Sequence, residues 1–386
     1  MEKLKTETSS KVIIGENSLL KIFDELPEDT KNITLVTGKH FAESTYFKLV
    51  EEQCQSLSIK LNCFVVGAEP RVEVIDSIVE SLIEPQDLVL GIGGGSALDS
   101  AKAVAVMLTS EGKTERYLEG VGDLAALPRQ IPFYAIPTTS GTGSEATKNA
   151  VFIKPGEVSY KKSIRHDSYI PDVVVLEPNL TLSCPPKVTA ACGFDAIAQL
   201  LESYISTKAT EYTEKACLEG LEKAFEVFPG VCDQLADKPL AREKMAIASY
   251  LSGVGLANAG LVNVHGIAGP IGGEIDVPHG VAVASIFPET LRLMVDRLPT
   301  QSITMEKLNR VGQFIDEPSL NELDGCERLI SFIEQARDKY LPEGLSDYGI
   351  TQKNIEQIAR ESADKNSPVH LTIEDIVTLL KDCSKA

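Results

Sequence analysis

The sequence predicts an α/β N-terminal domain built on a parallel sheet, followed by an all-α C-terminal domain. Three observations carry this. Up to about residue 180, short apolar runs alternate with amphipathic stretches at the spacing of βαβ units. Beyond it, strand signals nearly vanish and helical periods dominate. Two glycine- and hydroxyl-rich turns also directly follow expected strands, where an open α/β sheet forms its ligand crevice. The domains are therefore expected at 1–180 and 181–386.

In chain order, residues 10–30 alternate short apolar runs with a helix-like stretch. Residues 32–37 read as a buried strand ending at Gly38, 41–53 as a helix and 61–66 as the next strand. Residues 72–82 form a helix with apolar positions Val74, Ile75, Ile78, Val79 and Leu82. Residues 87–92 read as a strand, 97–108 as a helix, and 131–136 and 173–176 as further strands. Near-continuous apolar strands imply a sheet covered on both faces. Helices are expected at 187–206, 211–227, 241–264, 291–298, 305–314, 329–339, 352–363 and 372–383, with no internal repeat or low-complexity segment.

The 386 residues are 43% hydrophobic and 24% charged, the composition of an ordinary globular protein with ample core. A net charge of −19 argues against nucleic acid or an anionic membrane surface as the main partner. It leaves small anionic ligands open. The eight cysteines are scattered without a CxxC pair, which predicts reduced thiols and a cytoplasmic protein. Cys184 and Cys192 read as small buried hydrophobes rather than catalytic thiols. The start, Met1-Glu2-Lys3-Leu4-Lys5, has no apolar signal-peptide region. Residues 245–273 contain no charged side chain and could span a bilayer by length. Gly253, Gly255, Asn258, Gly260, Asn263, His265 and Pro270 interrupt the run, so it is expected to be a buried helix followed by a turn.

His265 and His279 flank a turn at the end of this run, and buried histidines need polar partners. The best carboxylate candidate is Asp195, in Gly193-Phe194-Asp195-Ala196-Ile197-Ala198-Gln199. Asp195 and Gln199, four apart on a helix, share a face. A metal site is one reading; a helix cap, a buried ion pair or satisfied core histidines are the others. In the N-terminal half, Gly91-Ile92-Gly93-Gly94-Gly95-Ser96-Ala97-Leu98-Asp99 follows a strand and opens a helix, with Ser96 and Asp99 at N-cap and N3 spacing. Glycines let the backbone approach a pyrophosphate at the positive helix end. The spacing is not GxGxxG, and a plain tight turn is the alternative. Pro137-Thr138-Thr139-Ser140-Gly141-Thr142-Gly143-Ser144-Glu145 is a second such loop.

These segments, with Lys102 and Pro278-His279-Gly280, resemble the iron-containing (group III) alcohol dehydrogenases. The likeness covers essentially the whole chain, from Val12-Ile13-Ile14-Gly15 through Ile170-Pro171-Asp172-Val173 to Asn366-Ser367-Pro368 and Thr372-Ile373-Glu374-Asp375. It implies a dehydroquinate-synthase-like dinucleotide domain, a helical domain and an active site in the cleft between them. It further implies NAD(P)-linked interconversion of small alcohols with aldehydes or ketones at one divalent metal, iron or zinc. The metal is held by an Asp and three His. Asp195, His265 and His279 fall on ligand positions and on the catalytic role. Gln199 stands where the family has a third His, and is expected to ligate through its amide oxygen, a donor for harder cations. Gly269 stands where many relatives carry a His that relays the alcohol proton. That path then falls to water, ribose hydroxyls or another side chain.

The resemblance assigns cofactor contacts to Gly94, Gly95, Ser96, Asp99, Thr138, Thr139, Thr142, Lys162 and Leu180. Gly38 replaces the Asp of many NAD-preferring relatives, and Lys39 beside it could pair with a 2′-phosphate, which favours NADP(H) over NAD(H). Relatives suggest a homodimer or larger homo-oligomer. Three alternatives remain. One is a metal-independent, maleylacetate-reductase-like enzyme in which a histidine acts as acid or electrostatic stabiliser. Another is a lyase or cyclase on the same scaffold, which would want more basic phosphate-binding residues. The third is a catalytically dead NAD(P)-binding protein. The uncharged character of 256–264 points to a small or apolar substrate.

Overall fold

The computed structural model describes residues 10–67, 70–154 and 160–384; the charged segment 1–5 lies outside them. The chain divides into two compact units, Met1–Thr139 with Gly143–Ser183, and Ser140–Thr142 with Cys184–Ala386.

The first unit holds strands β1 (Lys11–Ile14), β2 (Asn32–Gly38), β3 (Lys60–Val66), β4 (Leu88–Gly93), β5 (Phe133–Pro137), β6 (Asn149–Lys154), β7 (Tyr160–Arg165) and β8 (Val173–Leu176). Its helices are α1 (Lys39–Ala42), α2 (Thr45–Ser56), α3 (Val72–Ser81) and α4 (Gly95–Met107). Six strands form one parallel sheet in the order β1-β8-β5-β4-β2-β3. Side chains on β4 alternate between two cores. Leu88, Leu90 and Ile92 pack with Ile33, Leu35 and Ile136; Val89 packs with Val36, Phe133 and Ala135. Burial on both sides explains why the strand reads as an unbroken apolar run. Gly93 pairs with Pro137, so the loops after β4 and β5 leave the sheet side by side.

Three expectations need correction in this unit. The helix expected over 41–53 is split, because the Ser44 hydroxyl accepts from Phe47 N at 3.3 Å and caps a new helix, α2. The antiparallel hairpin β6–β7 was not anticipated. Only Ala150, Phe152 and Ile164 are buried there, among polar and charged neighbours that mask the period of two. Ser96 is not the N-cap of α4: Gly94 holds that position with no side-chain cap, and Asp99 turns to other partners.

The second unit holds α5 (Pro186–Ile205), α6 (Glu211–Val227), α7 (Pro239–Ala259), α8 (Asn263–Glu274) and α9 (His279–Arg297). It continues with α10 (Ile303–Gly312), α11 (Gly325–Tyr340), α12 (Gln352–Glu361) and α13 (Ile373–Cys383). From Gly193 to Ile205, α5 is buried on every face, which makes it the central helix of this core.

The uncharged run also departs from expectation. It forms two helices, α7 and α8, bent by 98°. Gly260 breaks them with φ 71°. The segment between the two histidines is therefore mostly helix, with His265 in the first turn of α8 and His279 the first residue of α9. The expected 291–298 helix is the end of α9. Pro270 and Pro288 lie inside α8 and α9, where the sequence pattern argues for an interruption. Among the described residues, no single helix is long and apolar enough to cross a membrane.

Gly260 needs its positive φ, and an added Cβ would stand 2.9 Å from Asn366 Nδ2. Gly260→Ala is expected to cost about 1–2 kcal/mol, read as a lower urea midpoint; a wild-type midpoint contradicts the strain argument.

Candidate metal centre

Asp195, Gln199 and Glu202 sit at i, i+4 and i+7 on α5, one face of a helix that is otherwise nearly all apolar. Such burial of carboxylates is tolerable only with strong partners. His265 supplies one to both: Nε2 lies 3.0 Å from Asp195 Oδ1, and Nδ1 lies 2.5 Å from Glu202 Oε2. His279 Nε2 stands 3.7 Å from the same Asp195 oxygen. One donor atom each from Asp195, His265 and His279 lie within 4.8 Å of one another.

Glu202 explains why α8 begins where it does. The N-cap residue, Val262, offers no capping side chain. The Glu202 carboxylate accepts instead from Val264 N at 2.6 Å and from His265 N at 3.3 Å. A negative charge at a helix N-terminus is favourable. One carboxylate thereby fixes both the backbone and the ring of His265, with Nδ1–H donating to it and Nε2 directed at Asp195. His279 is placed by a close approach: a Cβ on Gly280 would come within 2.3 Å of Ala191 O, so only glycine lets the first turn of α9 press on α5.

Burial pushes the Asp195 carboxyl up, but the imidazoles of His279 and His265 and the Gln199 amide outweigh it and hold it below the ordinary carboxylate range. Burial pushes His265 down, but Glu202 and Asp195 outweigh it and raise the imidazolium to about 9. The pocket thus favours positive charge. A divalent cation in place of the imidazolium proton fits the same oxygen–nitrogen–nitrogen donor set. The His279 side chain is 31% exposed against 10% for His265, which leaves one side of the site accessible.

Gln199 adjoins the group. Its amide hydrogen-bonds Asp195, and its Oε1 accepts from Ser252 Oγ on α7 at 3.0 Å. Glu202 and Ser252 are the site residues that sequence reasoning missed. For Glu202 a signal existed: an acid seven residues after Asp195 in an apolar helix. Ser252 carried none.

The residues assigned to the cofactor divide. Gly94, Gly95 and Ser96 open α4, and a Cβ on Gly94 would lie 3.3 Å from Thr139 Oγ1. Thr138 N donates to Gly93 O at 2.9 Å. Gly38 also adjoins, since a Cβ on Gly93 would lie 3.4 Å from Gly38 N. Nothing stands within 4 Å of where a Gly38 Cβ would be. The Asp99 carboxylate, by contrast, accepts from Ser144 Oγ at 2.5 Å and Val151 N at 2.9 Å. Lys162 is exposed on β7, and Leu180 is buried in a short turn after β8. Thr142 falls in the second unit, where a Cβ on its neighbour Gly141 would meet Cys192 Cα at 2.7 Å.

Residues 9–178 match the family described as iron-containing alcohol dehydrogenase, and 189–384 match the C-terminal region of the Fe-containing alcohol dehydrogenase family. The chain belongs to the iron-containing alcohol dehydrogenase family. It is 32% identical over 296 residues to long-chain-alcohol dehydrogenase 1 of Geobacillus thermodenitrificans, covering 75% of this chain and 73% of that protein. It is 29% identical to alcohol dehydrogenase 4 of Saccharomyces cerevisiae over 95% of each. The crystal structure of a 1,3-propanediol oxidoreductase superposes with a TM-score of 0.85 at 25% identity, over 96% of this chain and 97% of that one.

Glu202→Gln keeps the shape but removes the charge that orients His265. It is expected to weaken divalent-metal retention roughly 10- to 100-fold in chelator competition; unchanged retention contradicts this role.

Proposed function

We propose that this chain is a metal-dependent, NAD(P)-linked alcohol dehydrogenase or aldehyde/ketone reductase for small alcohol and carbonyl substrates. The observation that carries it is the convergence of Asp195, His265 and His279 on one point. A divalent iron or zinc ion bound there supplies Lewis acidity to the carbonyl oxygen, and the nicotinamide supplies or accepts the hydride. Asp195 contributes the negative charge that retains the cation. His265, held by Glu202, presents Nε2 as a neutral donor, and His279 presents the second from the more open side. The helix start at Gly94–Ser96 and the hydroxyls of Thr138, Thr139 and Thr142 bind the dinucleotide phosphates and riboses, with Lys162 on a ribose and Leu180 beside it.

Gln199 joins as a fourth ligand through a turn of its amide. The single Ser252 proton has a nearer acceptor in Ser249 O, at 2.7 Å against 3.0 Å for Gln199 Oε1. Ser252 Oγ can therefore accept from the turned amide nitrogen while Oε1 faces the cation. Nothing lies within 4 Å of where a Gly269 Cβ would be, in keeping with an alcohol proton that leaves by water, ribose hydroxyls or another side chain. The open space at Gly38, with Lys39 next to it, supports NADP(H) as the preferred cofactor. We place the protein in the cytoplasm on the strength of its free cysteines, and propose a homodimer or larger homo-oligomer following the family resemblance.

The second reading is a metal-independent reductase of the same fold, favoured by the Gln199 amide resting on Ser252. Elemental analysis combined with NADPH and NADH oxidation across an aldehyde panel separates the two. About one divalent metal per chain, chelator-sensitive activity and faster NADPH than NADH oxidation are expected. Turnover without metal supports the second reading, and no turnover on any carbonyl supports an inactive NAD(P)-binding protein. Gln199→His is expected to tighten metal retention through dialysis; unchanged occupancy argues against Gln199 as a ligand.

A further inference from the structure

Lys102 on α4 is fully buried, and the proposed chemistry makes no use of it. Its ammonium donates to Ser144 O at 3.0 Å, Thr147 O at 3.0 Å, Thr147 Oγ1 at 3.0 Å and Asn149 O at 2.7 Å. Asp99, one turn earlier on the same helix, lies 3.9 Å from Nζ. Its carboxylate takes the Ser144 hydroxyl and the Val151 N–H. Two neighbouring side chains of α4 therefore hold residues 144–151 by main chain and side chain together.

A buried ammonium is a costly way to fill space, and an apolar side chain would pack with less penalty. What it provides is multiple charged hydrogen bonds to inward-turned carbonyls. The loop it grips is the hydroxyl-rich one. At its start, Thr138 N is tied to Gly93 O, next to the N-terminus of α4. At its end, Ser144 is tied to Asp99 and Lys102 farther down α4. One end of the loop is thus fastened to the last residue of β4, beside the helix start that the phosphates would face, and the other to α4 itself.

We infer that Lys102, together with Asp99, is a positioning residue for dinucleotide binding: it draws the 144–149 segment onto α4 and so sets where Thr138 and Thr139 stand beside Gly94. This rests on the NAD(P)-linked reading above. Asp99 then acts through the loop, without touching the cofactor.

The charge itself can be switched. Burial pulls the Lys102 ammonium down to about 8, against the pull of Asp99 and Glu145, while Lys161 on β7 faces Asp99. Above that pH the neutral amine has at most two protons for its acceptors, so the grip on the loop weakens. Global stability moves the other way. A lysine whose folded pKa lies below its unfolded one binds fewer protons when folded, so between about 8 and 10.5 its contribution to stability rises with pH. Weaker cofactor binding without lower stability is therefore the signature of positioning.

Lys102→Met tests this. Fluorescence titration with NADPH at pH 7 is expected to give an about tenfold higher Kd, with metal content unchanged. Amides of 144–151 should exchange faster in the cofactor-free variant. The wild-type Kd should climb above pH 8 while that of Lys102→Met stays flat. Should Lys102→Met fail to fold, Thr147→Val removes one acceptor and should move Kd in the same direction by about threefold. A variant Kd within about twofold of wild type overturns the inference. Absence of NADPH and NADH binding by the wild type itself overturns the functional reading, and the inference with it.

Discussion

The line from Asp195 through His265 to Glu202 constrains everything around it. Two carboxylates on a stretch of helix buried on every face would be untenable alone. A single imidazole between them resolves both, provided its helix starts at one place. Glu202 enforces that start by accepting the first free amides of α8, so the capping of one helix and the aim of a ring nitrogen are the same interaction. The break at Gly260 redirects the chain before α8, and Gly280 seats α9 against α5. The third donor, His279, arrives by that second route.

Two residues stand where the family resemblance implies histidines. Gln199 offers an amide in place of the implied imidazole, and an amide oxygen suits a harder cation and binds a borderline one less firmly. Gly269, one turn after His265, presents open space where a side chain could have handled a proton. Both changes fall on the same two helices, α5 and α8. They leave the Asp195–His265–Glu202 line untouched.

Much of this was legible in the sequence, for physical reasons that differ between residues. β4 and β5 announced themselves because burial on both faces demands continuous apolar runs. Asp195, His265 and His279 stood out because polar groups in uncharged surroundings require partners. The turn after α7 was expected, but the expected helix ran on to 264, and α8 beyond the break was hidden because the charge-free composition runs straight across it. α9 was under-called because Pro288 lies inside it. The β6–β7 hairpin escaped because its buried face has few residues. Lys102 was visible as part of a motif, but a lysine in sequence looks the same whether solvated or enclosed by carbonyls. Ser96 misled because its spacing to Asp99 imitates a capping box, while Asp99 is committed to Ser144 and Val151.

The proposed chemistry requires a cation held by one carboxylate and two imidazoles. An anomalous difference map from crystals grown with iron or zinc, recorded at that metal's absorption edge, tests it most directly. A single peak within about 2.0–2.2 Å of an Asp195 oxygen, His265 Nε2 and His279 Nε2 is predicted. A map from metal-saturated protein with no peak there, and with His265 still bridging Asp195 and Glu202, would contradict it.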